Sequence, residues 1–410
     1  MTIKDVCLKR IKQHKITNCL VKETDIGRGL RPIIIKNNIA VAGQILSCSS
    51  PLLAHYKSPY NATIVNLIDD DYCIVGLSRM SEFAMGTTSL PDVKGLFDDK
   101  VCAGGSSGAL AVAISCGMAP IGIGTDTGGS VIVPASLNGL YGFKPTFGAI
   151  SRYGVVAMGS SYDHVALLSQ TALESYNLYS TIQKIDRKDQ RSIQIQDNNE
   201  DIKKWLQGKV CYYSNDFLTA AEAVHFDQVK QFLQHHGVDV QPDHKTLDMR
   251  LIDACYLSIC TSELVSNLSR YGQCLTGRKN QDELRNQMTL TSKQRLALGV
   301  TILKQSQLFH KPAIKALNHV RTVTANKFKR CDLYIYSSRL PREDGLILRS
   351  RWANITYYPL VNIPVGKTGT IPFGVSIQGK PSMDYILLKI ACLYNDYIKN
   401  DICYDPLPTY

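Results

Sequence analysis

The run Ile121-Gly122-Ile123-Gly124-Thr125-Asp126-Thr127-Gly128-Gly129-Ser130 decides the fold. Its first half is a short run rich in isoleucine, which reads as a strand, Ile121–Thr125. Its second half, Gly124–Ser130, is all small or turn-forming. Such a loop can aim several backbone N–H groups at one point beyond the strand. A phosphate site is an equally simple use of those amides, so the loop alone leaves both uses open.

Upstream lies a second glycine segment, Ala103-Gly104-Gly105-Ser106-Ser107-Gly108, running into the apolar stretch Ala109–Cys116. Two serines after two glycines, at the start of a helix, place hydroxyls where a helix terminus favours negative charge. A loop with a helix cap would look the same. Neither segment carries the Lys-Ser/Thr of a phosphate-binding loop, and G-x-G-x-x-G is missing.

A serine nucleophile needs a base. Of the nine histidines, only His164 lies near either segment in sequence, and nothing singles it out for a Ser-His-Asp triad. The other solution is a lysine kept neutral by burial. Lys36 ends the run Pro32-Ile33-Ile34-Ile35, a strand apolar on both faces. A lysine in that position can also snorkel to solvent.

Further short Val- and Ile-rich runs read as strands: Tyr72–Leu77, Lys209–Tyr213, Asp332–Tyr336, Val361–Val365 and Phe373–Gln378. Between them, apolar residues at three- and four-residue spacing predict helices over Tyr60–Ile68, Ala220–His235, Leu247–Tyr271, Lys293–Lys327 and Met383–Tyr397. This alternation predicts an α/β fold with a mixed, mostly parallel sheet covered by helices on both faces. The expected organisation is one domain over residues 1–410, with a charged surface connection at 184–207 and a largely helical insertion at 215–330.

Composition narrows the class. A chain of 410 residues that is 44% hydrophobic can bury a substantial core, which excludes global disorder. Thirteen cysteines without a C-x-x-C pair fit a reducing compartment and neither a disulfide framework nor a zinc site. The net charge of +11 favours a polyanionic partner such as tRNA. No apolar run approaches the roughly 18 residues of a membrane span. The amino terminus carries Lys4, Lys9, Arg10, Lys12 and Lys15 beside Ile3, Val6, Ile11 and Ile16. It reads either as an amphipathic targeting helix or as an ordinary first helix.

Taken together, Pro32–Ile39, Gly104–Gly108 and Gly124–Ser130 resemble the lysine strand and the two serine motifs of the amidase signature family, in order and at matching spacing. One departure is Asn37, where the family usually has aspartate. Within the family, Met80–Gly86, Gly142–Gly148, Ile150–Ala157, Ser160–Asp163 and Phe373–Pro381 look like the glutaminase (A) subunits of glutamyl-tRNA(Gln) amidotransferases.

The resemblance implies a mechanism. Ser130 would attack the side-chain amide of glutamine, and Ser106, on a cis peptide bond, would relay its proton to neutral Lys36. The amides of Thr127, Gly128 and Gly129 would hold the oxyanion, with Asp126 fixing the loop. Arg295 matches the family's substrate-gripping arginine, whereas Asp344–Asn354 offers no counterpart for its aspartate. It also implies no cofactor on this chain: the B subunit would take the ammonia and use ATP and Mg to activate Glu-tRNA(Gln), with a small third subunit completing the complex. The compartment expected is the mitochondrial matrix, with a bacterial cytoplasm as the alternative. A stand-alone amidase on another small amide, or a catalytically silent scaffold, are the competing readings.

Overall fold

The computed structural model describes residues 2–15, 18–87, 93, 96–97, 102–216, 218–245, 247–271, 281–338 and 349–399. Among them lie eleven strands: β1 Leu20–Ile26, β2 Arg31–Lys36, β3 Tyr72–Ser78, β4 Ile121–Asp126, β5 Tyr141–Lys144, β6 His164–Ser169, β7 Val210–Ser214, β8 Asp239–Pro242, β9 Leu333–Ser337, β10 Leu360–Thr368 and β11 Ile371–Gly379. They form one sheet in the order β1-β3-β2-β4-β6-β5-β10-β11-β9-β7-β8.

The sheet is mixed, as expected, but its pairings lean the other way. β2 runs parallel to β3 and β4, and β7 runs parallel to β8 and β9. The other six of the ten pairings are antiparallel. The reason is connectivity: β10 and β11 are joined by Gly369-Thr370 alone, and a link that short permits only a hairpin.

The three isoleucines of β2 show why the sheet is covered on both sides. Ile33 and Ile35 join a cluster with Ile123, Phe143, Tyr179 and Leu388, and Ile34 joins Val75, Leu110, Val112 and Ala166 across the sheet. All three are fully buried, each worth about 2 kcal/mol of transfer free energy. A third cluster gathers Tyr256, Ile259, Leu317 and Trp352 beneath the helices Met249–Leu268 and His310–Phe328.

The helix Gly108–Ser115 is buried along its whole length. A Cβ at Gly122 would sit 2.6 Å from Leu110 Cδ1, and one at Gly124 would sit 3.1 Å from Ser107 Oγ. The glycines of β4 therefore let this helix close onto the strand, which brings both glycine segments to one edge of the sheet.

Several boundaries differ from expectation. The periodic stretch Lys293–Lys327 is two helices, Leu290–Lys304 and His310–Phe328. Pro312 explains the break: without an N–H it belongs in a first turn, and it sits in the first turn of the second helix. The charged stretch 184–207 is pinned to the body of the protein. Asp189 and Ile195 are buried, Asp189 pairs with Arg152, and Ile202–Leu206 is helical. Between β7 and β9 the described residues contribute helices and the short strand β8. At the amino terminus, Ile3–Gln13 is a helix with a Thr2–Asp5 capping box that buries Cys7 and Ile11. No helix among the described residues is long and apolar enough to cross a membrane.

Candidate active site

Lys36 is the last residue of β2 and is fully buried, so it does not snorkel. Its Nζ lies 2.7 Å from Ser106 Oγ, 2.8 Å from Ser107 Oγ, 3.0 Å from Thr125 Oγ1 and 3.3 Å from the Thr125 carbonyl. Burial lowers its pKa to about 7, against the opposing fields of Asp126, Asp163 and Cys48. A neutral amine has two N–H bonds and one lone pair. Ser107 and Thr125 can take the two donors, which leaves the lone pair for the Ser106 hydroxyl.

Ser106 is presented by its own backbone. Gly104 has φ +77, and the Gly105–Ser106 peptide bond is cis. The Ser106 carbonyl accepts from the Ser81 amide at 3.2 Å. Next along, the Ser107 amide donates to the Ser130 carbonyl at 3.2 Å. The two serine segments are thereby joined directly, with Ser106 buried and Ser130 the more open at 9%.

Asp126 organises the loop that ends in Ser130. Its Oδ1 accepts from the Gly129 amide at 2.7 Å and from Asn354 Nδ2 at 2.9 Å. Its Oδ2 accepts from the amides of Val131 at 2.7 Å and Ile132 at 3.3 Å. This departs from one expectation: the Gly129 amide, expected among the oxyanion donors, donates to Asp126. The amides of Thr127, Gly128 and Ser130 meet no acceptor among the described residues. Gly129 has φ +105, and a Cβ there would fall 2.1 Å from Ser350 Oγ. Thr127 is held by its own side chain, whose Oγ1 donates to Asp163 Oδ1 at 2.6 Å. Burial raises Asp163 to about 6 despite the Thr127, Gly159 and Met158 donors.

His164 lies across the ladder from Asp126, yet it is no base for Ser130. Its Nδ1 is 2.6 Å from the Tyr162 carbonyl and its Nε2 is 3.5 Å from Lys144 Nζ. Burial and Lys144 hold its pKa well below the ordinary value.

Arg295 is half-buried on the helix Leu290–Lys304, with its guanidinium beside the Tyr256 hydroxyl and close to Cys260. The Tyr256 ring covers Gly128: a Cβ on that glycine would lie 2.8–2.9 Å from its ring and hydroxyl. Arg295 thus reaches the serine loop through Tyr256. In the stretch Asp344–Asn354, residues 344–348 lie outside the described residues, and Asn354 is committed to Asp126.

Sequence reasoning placed Lys36, Ser106, Asp126, Thr127, Gly128, Gly129 and Ser130 in one neighbourhood, where the structure also has them. It assigned nothing to Ser107, Thr125, Asp163, Asn354 or Tyr256. Ser107 had a signal, being next to Ser106. Thr125 had one too, lying beside Asp126 in β4, whereas Asp163, Asn354 and Tyr256 come from separate elements and carry no local signature.

The family model described as Amidase matches residues 28–388. The A subunit of glutamyl-tRNA(Gln) amidotransferase from Nitratiruptor is 30% identical over 414 residues, covering 92% of this chain and 92% of the relative. An A subunit of the same enzyme from Clostridium acetobutylicum is 30% identical over 405 residues, covering 90% and 83%. Among solved structures, the glutamyl-tRNA(Gln) amidotransferase A subunit from Thermotoga maritima superposes with a TM-score of 0.82 at 24% identity, over 99% of this chain and 94% of that one. A native peptide amidase from Stenotrophomonas maltophilia does so with a TM-score of 0.81 at 19% identity, over 97% and 93%. At those identities the two structures speak for the fold.

Proposed function

The chain belongs to the amidase family, on the branch of the glutamyl-tRNA(Gln) amidotransferase A subunits, and from that premise we propose that it is a glutaminase running on Ser130, Ser106 and Lys36. The observation that carries the reading is the Lys36 amine, fully buried, with its pKa brought to about 7 and its Nζ 2.7 Å from Ser106 Oγ. A lysine in that state accepts a proton near neutral pH.

In the proposed reaction Ser130 Oγ forms a bond to the side-chain amide carbon of glutamine. Its proton passes to Ser106 as the Ser106 proton moves to Lys36. The negative oxygen is met by the amides of Thr127, Gly128 and Ser130. Collapse breaks the C–N bond, and the proton held by Lys36 returns through Ser106 to the departing nitrogen, releasing ammonia. Water then cleaves the acyl-enzyme to glutamate by the same relay, regenerating Ser130. Arg295, beside Tyr256 at the loop, supplies a cation for the glutamine α-carboxylate.

The ammonia is used elsewhere in the proposed assembly. The B subunit takes it and activates Glu-tRNA(Gln) with ATP and Mg, and a small third subunit completes the complex. A local excess of charge supports a polyanionic or acidic partner: residues 284–331 include ten Lys and Arg and no Asp or Glu. The compartment proposed is the mitochondrial matrix, supported by basic charge and unpatterned cysteines. A carboxy-terminal fluorescent fusion confined to the cytosol would count against it.

The test is a comparison of amide donors. With its partner subunits, Ser130→Ala is expected to lose glutamine-dependent formation of Gln-tRNA(Gln) while keeping formation from ammonium chloride. Unchanged glutamine hydrolysis by Ser130→Ala would overturn the assignment. Turnover of simple amides by the isolated chain would instead favour a stand-alone amidase.

A further inference from the structure

One buried carboxylate near the site has no part in the proposed chemistry. Glu82 is 2% exposed, in the turn that follows β3. Its Oε1 accepts from Ser50 Oγ at 2.6 Å. Its Oε2 accepts from the Thr289 amide at 2.8 Å, from Thr289 Oγ1 at 2.8 Å and from Ser292 Oγ at 2.6 Å. A carboxylate buried this deeply is costly unless its lone pairs are met, and here all the donors come from two short segments.

Both segments matter for their positions. Thr289 is the cap of the helix Leu290–Lys304, with its Oγ1 accepting from the Ser292 amide at 3.3 Å. Ser292 is fully buried, and Arg295 lies three residues further on, on the same face. A negative group at this end of the helix also meets its unpaired amides and the positive end of its dipole. The same turn reaches the catalytic backbone: the Ser81 amide donates to the Ser106 carbonyl, and the Phe83 amide to the Cys48 carbonyl. The Phe83 ring stacks on Tyr271, with centroids 5.7 Å apart. Phe83 and Ala84 hold positive φ, +47 and +63, in the backbone that carries these contacts.

Further along, the helix has one more fixed point. A Cβ at Gly299 would lie 2.2 Å from the Thr261 carbonyl, so the helix lies tight against Met249–Leu268, which carries Tyr256. Gly299 fixes how closely the two helices approach, and Glu82 fixes where the second one begins.

We propose that Glu82 is a positioning residue of the glutaminase reaction. Its carboxylate locks the start of the helix Leu290–Lys304 to the turn that holds Ser106, and so sets the Arg295 guanidinium at a fixed place relative to the nucleophile loop. The inference rests on the reading of Arg295 as the cation that holds glutamine.

A double-mutant cycle tests it, on the full-length chain with its partner subunits and with glutamine as the variable substrate. Glu82→Gln replaces one acceptor oxygen by an N–H₂ beside the Thr289 amide and the Ser50, Thr289 and Ser292 hydroxyls that now donate to it, and is expected to raise KM for glutamine about ten-fold with kcat changed less than about three-fold. The double variant E82Q/R295A is expected to show the KM of Arg295→Ala alone, because both changes remove one grip. A loss confined to kcat, or a double-variant KM equal to the product of the two single effects, would overturn the proposal. The Arg295→Ala arm isolates the underlying reading: an unchanged KM there removes Arg295 from substrate binding and the Glu82 proposal with it. Where Glu82→Gln lowers the unfolding midpoint below the assay temperature, Thr289→Val carries the same test. It deletes one donor, leaves the carboxylate in place and is judged by the same KM criteria.

Discussion

Lys36 Nζ lies 2.7 Å from Ser106 Oγ across 70 residues of sequence, fully shut off from solvent. The amine is costly to bury and is held by hydroxyls and one carbonyl, with no carboxylate bonded to it, so in the proposed relay its contribution is to reactivity and not to folding.

Replacing it separates the two. Lys36→Met is expected to lower glutamine hydrolysis by about a thousand-fold or more, while the unfolding midpoint stays level or rises because a buried amine has gone. Steady-state kinetics and a thermal melt on the same preparation check both halves. Retained turnover would remove Lys36 from the relay.

The pH dependence follows from the depressed pKa of the same group. A proton acceptor must be neutral, so kcat/KM is expected to rise with pH along a limb centred near 7. Asp163 pulls the Lys36 pKa upward, so Asp163→Asn is expected to move that limb to lower pH. A limb displaced upward in this variant would contradict the electrostatic account. Stability carries the same signature. Between about 7 and the ordinary 10.5 of a lysine, the unfolded chain binds the proton that the folded chain has released, so unfolding free energy rises with pH across that window. Lys36→Met is expected to flatten this part of the pH–stability curve.

Gly129→Ala meets two obstacles, a φ of +105 and a contact of 2.1 Å with Ser350 Oγ. Loss of activity by about a hundred-fold is expected, with a stability cost of about 1–3 kcal/mol. Adding Ser350→Ala removes the contacting oxygen and leaves the backbone strain, so the pair is expected to recover stability in part. Full recovery would mean that φ is not the constraint.

Asp126→Asn places an N–H₂ where backbone amides and Asn354 donate. A loss of about 3 kcal/mol in unfolding free energy is expected, together with near-complete loss of turnover. Asn354→Ala removes one donor of the same set and is expected to produce a smaller loss of both. Equal effects of the two changes would show that Asn354, and not the loop amides, carries the interaction.

What could be read from sequence divides along physical lines. Ile33–Ile35 announced a strand buried on both faces, and the glycine-rich segments announced loops whose amides and hydroxyls face inward, because those signals are local. The contact of Glu82 with Thr289 spans 207 residues and that of Asp126 with Asn354 spans 228. Such pairs exist only once the sheet has been ordered. The helix Ser350–Thr356 was missed for a related reason. Four of its seven residues are polar or charged, yet all seven are buried, with Ser350 against Gly129 and Asn354 on Asp126. The break before His310 is legible in Pro312, but apolar spacing continues across it and by itself favours one longer helix. The balance of parallel and antiparallel pairing depended on links as short as Gly369-Thr370, which strand patterns alone do not report.

The division of the site between elements carries a consequence for how such a chain can change. The reactive floor is drawn from β2, the 104–107 segment and the 124–130 loop, and its contacts close on one another. Tyr256 and Arg295 arrive from two helices inserted between β7 and β9. In the proposed reaction, the cutting groups and the cation for glutamine are therefore written in separate stretches of the gene. An exchange of residues 249–304 would reach the groups proposed to hold glutamine, and would have to keep Thr289 and Ser292, whose donors satisfy Glu82 beside the turn that holds Ser106.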